Sequence, residues 1–372
     1  MGFWKIMIIG IYKDLPEYLH IEPTKRCNAA CPQCPRTIGA SLQTYPNIPE
    51  TEITPNNLKK MLSDDFFNNI KKVLINGNYG DIVMHRSPKE FIQTFLDKHL
   101  HIQINTNGGA LSTGFWSWLG KQPNVIVEFA LDGLEDTHHL YRRNTRFDIV
   151  IKNAKAYIKA GGYARWIMNV FGNNEHQVDA CKQMSKDLGF AEFYSNDSVR
   201  FYKEYDALVD KNFDEVAILY PTEFVKNNKN LDKEDRSKQW YEKIYKFVNQ
   251  EFDVLQDDRS KSYINGPEIV DCKVTQGLES IYISGDSRLW PCCWMEIDYN
   301  EKTLNNNYSS FVDLFFKTLN KEKDFNLLSK HTATDVVNAG LLTTIENSWS
   351  SKCIDICKRT CASKELREDY TR

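Results

Sequence analysis

Between Glu17 and Ser195 short apolar runs alternate with stretches in which apolar residues recur every three or four positions. EYLHIEPT reads as a short strand running into a loop. NNLKKMLSDDFFNNI has the helical spacing of Leu58, Met61, Leu62 and Phe66, with TEITP as its start signal. KKVLING is a strand ending at Gly77, PKEFIQTFLDKHL a helix, and HIQINTNGG a strand ending in Thr106, Asn107 and Gly108. FWSWLGKQ is a short helix, and NVIVEFALDG a strand ending at Asp132 and Gly133. FDIVIKNAKAYIKAGG is a helix with a glycine stop, ARWIMNVFG a fifth strand, HQVDACKQMSKDLGF a helix and AEFYS a sixth strand. Such β–α alternation predicts a parallel sheet or barrel, in which ligand groups gather at the carboxyl ends of strands. The unusual segments fall there: a cysteine-rich loop, GNYGD, NTNGG and LDG.

The pattern changes after residue 202. Residues 203–265 are rich in Lys, Asp, Glu and Asn, with a helix expected at EDRSKQWYEKIYKFVNQEF, and read as a charged, partly helical connector. From 266 to 372 a new unit is expected. LESIYISGDSRLWPCCW alternates around SGDS as a β-hairpin does, and SSFVDLFFKTL follows as a helix.

The charged fraction of 26% and hydrophobic fraction of 41% are those of an ordinary globular protein. A formal charge of −3 provides no global field for nucleic acid or an anionic membrane. The early run IMIIGIY is far shorter than the roughly 20 apolar residues of a membrane span, and KDLPEY after it is not a cleavage site. A cytoplasmic protein is expected. The cysteines then need another role than disulfides.

The 10 cysteines are clustered. Cys27, Cys31 and Cys34 lie within TKRCNAACPQCPRT, Cys292 and Cys293 are adjacent, and Cys353, Cys357 and Cys361 are spaced i, i+4, i+8. Close thiolates in a reducing compartment point to metal. Three thiolates on a [4Fe–4S] cube leave one iron open to a substrate or cofactor; a zinc site borrowing a fourth ligand uses the same residues. Cys181, on an amphipathic helix, reads as a core thiol.

With these motifs in order, residues 1–202 resemble the radical S-adenosylmethionine (radical SAM) enzymes, whose hallmark is C-x3-C-x2-C after the first strand of a partial (β/α)6 barrel. The resemblance implies that Cys27, Cys31 and Cys34 hold a [4Fe–4S] cluster whose open iron chelates SAM. It implies reductive cleavage of SAM to a 5′-deoxyadenosyl radical that abstracts a substrate hydrogen, with the electron supplied by a donor such as flavodoxin or ferredoxin. Gly77, Asn78, Tyr79, Gly80 and Asp81 stand where the family has a Gly-Gly-Glu-like element facing SAM. Thr106, Asn107, Asp132, Arg143 and Asn169 stand at further SAM-facing strand ends. Two departures are visible: Gln33 replaces the aromatic residue common before the third cysteine, and Asp81 precedes Ile82 where proline is common.

Residues 266–372 resemble the Twitch module, the shorter relative of SPASM. The implied ligands of one auxiliary [4Fe–4S] cluster are Cys272, Cys292, Cys357 and Cys361, with Cys353 and Cys293 as the competing choices. Full SPASM modules use about seven cysteines, and six follow residue 270 here. Zinc on the same cysteines is the alternative. An auxiliary cluster implies net oxidation of a small molecule such as a sugar, nucleotide or amino-acid derivative; the alternatives are a maturase acting on a peptide or protein side chain, and a zinc-stabilised binding protein. Peptide-modifying relatives often carry an N-terminal recognition domain, and only a short stretch precedes the first strand here, which mildly favours the small molecule. Arg165 and Tyr194 sit on strands, where a structural role is as well matched as an acid–base one.

Overall fold

The computed structural model describes residues 15–38, 41–46, 48–198, 200–201, 204–212, 214–228, 280–304, 324–349 and 357. Cys272, Cys353, Cys361 and the helices expected at 234–252 and 309–319 lie outside them. The chain divides into two compact units, one of residues 1–21, 52–73 and 253–372, the other of 22–51 and 74–252. No helix among the described residues is long and apolar enough to cross a membrane.

In the first unit, β1 (Tyr18–Ile21) buries Leu19 and Ile21 completely and pairs in parallel with β9 (Ser280–Ile283), Leu19 facing Ile281. The hairpin expected at SGDS is present: β10 (Leu289–Trp290) returns antiparallel, Leu289 against Ile283, and the Ser284 hydroxyl donates to Asp286 in the turn. α1 (Pro55–Met61) starts where Thr54 accepts from the Asn57 amide. The sequence predicts this helix to run on past Phe66, but it stops at Met61. The Asp64 carboxylate caps a separate 3-10 turn, Asp65–Phe67, by accepting from the Phe66 amide at 3.0 Å. A side chain that bonds nearby backbone competes with helix continuation.

In the second unit, β3 (His101–Thr106), β4 (Val125–Ala130), β5 (Tyr163–Val170) and β6 (Glu192–Asp197) are parallel neighbours in that order, with the end of β2 (Lys72–Ile75) at their edge. This is the open parallel α/β sheet of a partial barrel. One face is covered by α3 (Thr113–Gly120) and α5 (Phe147–Lys159), with Trp116 5.2 Å and Tyr157 6.0 Å from the buried Phe129 ring. On the other face Asn105, Glu128, Arg165 and Glu192 stand in one cross-strand row, Arg165 bonding Glu128 at 3.2 Å and Glu192 at 3.1 Å. Tyr194 shares that face beside Ile167. α2 (Pro88–Leu96) and α6 (Val178–Asp187) complete the alternation, with Cys181 fully buried on α6.

The sequence pattern gives no notice of three elements in this unit. α4 (Glu135–Tyr141) follows β4, and β7 (Asp206–Val209) pairs antiparallel with β8 (Glu215–Leu219). β7 is buried at all four positions, so it lacks the alternation that marks a half-exposed strand. The short helix α7 (Glu223–Asn228) follows.

Candidate metal and cofactor site

The site begins at Glu22, a fully buried carboxylate just past β1. It accepts from the amides of Tyr79 at 2.8 Å and Gly80 at 3.1 Å, drawing the turn after β2 against the start of the cysteine loop. At Gly80 a Cβ would lie 1.6 Å from the Thr24 carbonyl oxygen, so only glycine allows this approach. Asp81 fixes the next strand end. Its carboxylate accepts from the Thr106 hydroxyl and the Asn107 amide, both at 2.7 Å, and from the Val83 amide at 3.1 Å. Burial pushes its carboxyl above the usual range, and these donors oppose the shift.

The three cysteines follow on successive turns, the Cys34 amide donating to Cys31 and the Thr37 amide to Cys34. Their sulfurs meet different polar partners. Cys27 Sγ accepts from the Ala29 amide at 3.4 Å and Asn107 Nδ2 at 3.7 Å; Arg142 Nη1 lies 3.9 Å from Cys31 Sγ; Cys34 Sγ lies 3.8 Å from the Asn78 carbonyl. All three pack in one apolar cluster with Ala29, Tyr141, Phe171, Phe201, Leu208 and Val209. Burial raises all three thiols, Cys31 to about 12 despite Arg142. Thiolates in such surroundings need a strong positive charge, which a metal centre supplies.

Among the described residues no group of three or more His, Cys, Asp or Glu side chains is gathered as ligands of one metal ion. A cube presents its irons at separate corners, so its cysteines need not converge on one point. The donor set, three cysteine sulfurs packed in one cluster with no fourth cysteine beside them among the described residues, fits a cluster with one open corner.

Beyond the cysteines, Asp132 is fully buried at the end of β4. Its carboxylate accepts from Arg142 Nε at 2.6 Å and from the Asn169 amide at 2.7 Å. Its own amide lies 3.3 Å from His138 Nδ1, and burial with Arg142 nearby holds His138 neutral, its pKa pushed down to about 3. Asp132 and Asn169 are thus joined directly, and Asp81, Thr106, Asn107 and Cys27 form a second connected group. Arg143 Nη2 donates to the Val209 carbonyl at 2.8 Å, and the Arg143 carbonyl accepts from the Ala30 amide. The guanidinium beside the cysteines belongs to Arg142, and adjacent arginines at a helix end give the sequence no means of choosing between them. The sequence pattern does not single out Glu22, whose signal is a carboxylate closing an apolar strand. Gln33 faces Asp206 and Ser198.

Of the C-terminal cysteines, Cys292 and Cys293 are half-buried where β10 passes into α8 (Cys293–Leu304), and Cys357 is half-buried.

Residues 21–184 match the family model described as the Radical SAM superfamily. No curated protein matches the chain in sequence. Among solved structures, Streptococcus suis SuiB bound to S-adenosylmethionine is similar at 14% identity and a TM-score of 0.49, over 92% of this chain and 77% of that one. For another SuiB structure, at 14% identity and a TM-score of 0.47 over 80% of this chain, the chain spans just under two thirds of the other's length, 66%. Native anSMEcpe with bound AdoMet is similar at 15% identity and a TM-score of 0.45, over 89% and 99% of the two chains.

Proposed function

We propose, from the match of residues 21–184 to the Radical SAM superfamily model, that the protein is a radical SAM enzyme that oxidises a small polar molecule, a sugar, nucleotide or amino-acid derivative, in the cytoplasm. Cys27, Cys31 and Cys34 would hold a [4Fe–4S] cluster, and Cys272, Cys292, Cys357 and Cys361 an auxiliary one within a Twitch-like unit at 266–372. When bound, these groups and SAM supply a 5′-deoxyadenosyl radical that takes a substrate hydrogen, an entry for electrons from a flavodoxin- or ferredoxin-type donor, and an acceptor for the substrate's second electron.

The observation that carries the reading is the gathering of C-x3-C-x2-C in one buried cluster at the strand ends, with Asn107 and Arg142 on its sulfurs. Arg142 brings positive charge beside Cys31 and is itself held by Asp132. Glu22 and Asp81 fix the turns after β2 and β3; the backbone of Gly77, Asn78, Tyr79 and Gly80 would face the SAM amino group, with Asp81, Thr106, Asn107, Asp132 and Asn169 as the surrounding polar frame. The apolar neighbours Tyr141, Phe171 and Phe201 exclude water from the cysteine side. The row of Asn105, Glu128, Arg165 and Glu192 on the face away from α3 and α5 suits a ligand rich in hydroxyl or amino groups.

The test is anaerobic iron loading followed by dithionite reduction with SAM. We expect 5′-deoxyadenosine from the wild-type chain and none from Cys31→Ala. Zinc in place of iron, or no difference between the two chains, defeats the reading. Modification of a peptide instead of a small molecule overturns only the substrate class.

A further inference from the structure

Gln33 stands between two of the three cysteines, and both ends of its side-chain amide are engaged away from them. Nε2 donates to Asp206 Oδ2 at 3.0 Å, and Oε1 accepts from the Ser198 hydroxyl at 2.7 Å. Its carbonyl accepts from Arg200 Nη1 at 3.3 Å. Asp206 opens β7, and Asp206 and Ser198 are 5% and 8% exposed, so water competes little for these bonds. Beside this contact, Leu208, Val209 and Leu219 of the β7–β8 hairpin join Cys31, Ala29 and Phe171 in the same cluster. Arg143 ties the two sides again, from the Val209 carbonyl to the Ala30 amide. At the far strand, Asn173 Nδ2 donates to the Ile218 carbonyl and Asn173 Oδ1 accepts from the Tyr220 amide, both at 2.8 Å.

A two-stranded ribbon is marginal alone and takes its stability from what it covers. We propose that the β7–β8 hairpin is a fixed cap over the cysteine loop, and that Gln33 is the positioning residue that latches it. Gln33 then acts by keeping the cysteine sulfurs enclosed, not by touching SAM. The proposal concerns the loop that the proposed function uses, but it is tested without iron.

The measurement is alkylation of Cys27, Cys31 and Cys34 in the full chain before iron loading, followed by mass spectrometry, with the buried Cys181 as internal reference. Gln33→Ala removes a bond to a carboxylate and is expected to raise labelling of Cys31 about tenfold. Gln33→Glu sets two carboxylates together and should expose the loop at least as much. The exchanged pair Gln33→Glu with Asp206→Asn restores a donor facing an acceptor, keeps the Ser198 bond, and should return labelling to within about twofold of wild type. Should either single variant lose protection at Cys181 as well, Ser198→Ala gives the milder reading, an increase of about threefold. Unchanged labelling in the variants that keep Cys181 protected overturns the latch, as does an exchanged pair that labels like Gln33→Glu. A chain that labels as expected but makes no 5′-deoxyadenosine fails the functional reading alone.

Discussion

Two hairpins, β7–β8 in the second unit and β9–β10 in the first, share antiparallel pairing and differ in what holds them. β7–β8 buries Leu208, Val209 and Leu219 in the cluster that holds Cys27, Cys31 and Cys34, and its polar bonds run to the cysteine loop. β9–β10 extends from β1 by parallel pairing, and its turn is held at the surface by Arg288, which bonds Asp324 at 2.6 Å and Asn326 at 2.9 Å. Charges near the first hairpin are buried; those at the second are partly hydrated. The same local element is therefore expected to respond very differently to substitution in the two places.

The largest contrast is in the cysteines. Cys31→Ala should abolish 5′-deoxyadenosine formation and lower the iron content of the loaded chain from about eight per chain to about four. Cys292→Ala, at the end of β10, should also remove about four irons while SAM cleavage continues. Cys293→Ala should remove none. Iron analysis beside a SAM-cleavage assay separates these outcomes. A loss of SAM cleavage from Cys292→Ala as complete as that from Cys31→Ala would break the division of labour between the two cysteine sets.

The sequence was legible where its period was regular. β3 and β4 read cleanly, which places Thr106, Asn107 and Asp132 at or just past strand ends, where polar groups gather, and SGDS between alternating runs announced β9–β10. Three features were hidden for physical reasons. β7 is buried on both faces, so no alternation marks it. α1 stops early because Asp64 bonds backbone in a way that helical spacing does not encode. Arg142 and Arg143 are neighbours whose directions are decided by the backbone at the end of α4, where Arg142 has already left helical geometry with φ −83° and ψ 55°.

The next contrast is between buried and hydrated ion pairs. Arg142→Met leaves Asp132, at 0% exposure, without its guanidinium. Breaking one side of such a pair costs about 3–5 kcal/mol. The urea midpoint should fall accordingly in the chain without iron, where cluster chemistry plays no part. A loss under about 1 kcal/mol, the scale of surface pairs, would show that the two regions do not differ as their burial implies.

At the smallest end lies Asp324. Its carboxyl is held down to about 2, first by the hydrogen bond from Lys330 and then by that from Arg288. An unfolded Asp titrates near about 3.9. The folded value is the lower one, so the stabilisation is present above pH about 4 and is lost as pH falls through about 2. With the Asp324 side chain 34% exposed, solvent screening keeps the gain to about 0.2–1 kcal/mol. Asp324→Asn should lower the urea midpoint slightly at neutral pH and low salt. The difference from wild type should shrink in about 1 M salt, where the screening length is about 3 Å, and should vanish only below pH about 2. A difference that survives both conditions would mean that Asp324 holds the β9–β10 turn by shape and neutral hydrogen bonding, with its charge immaterial.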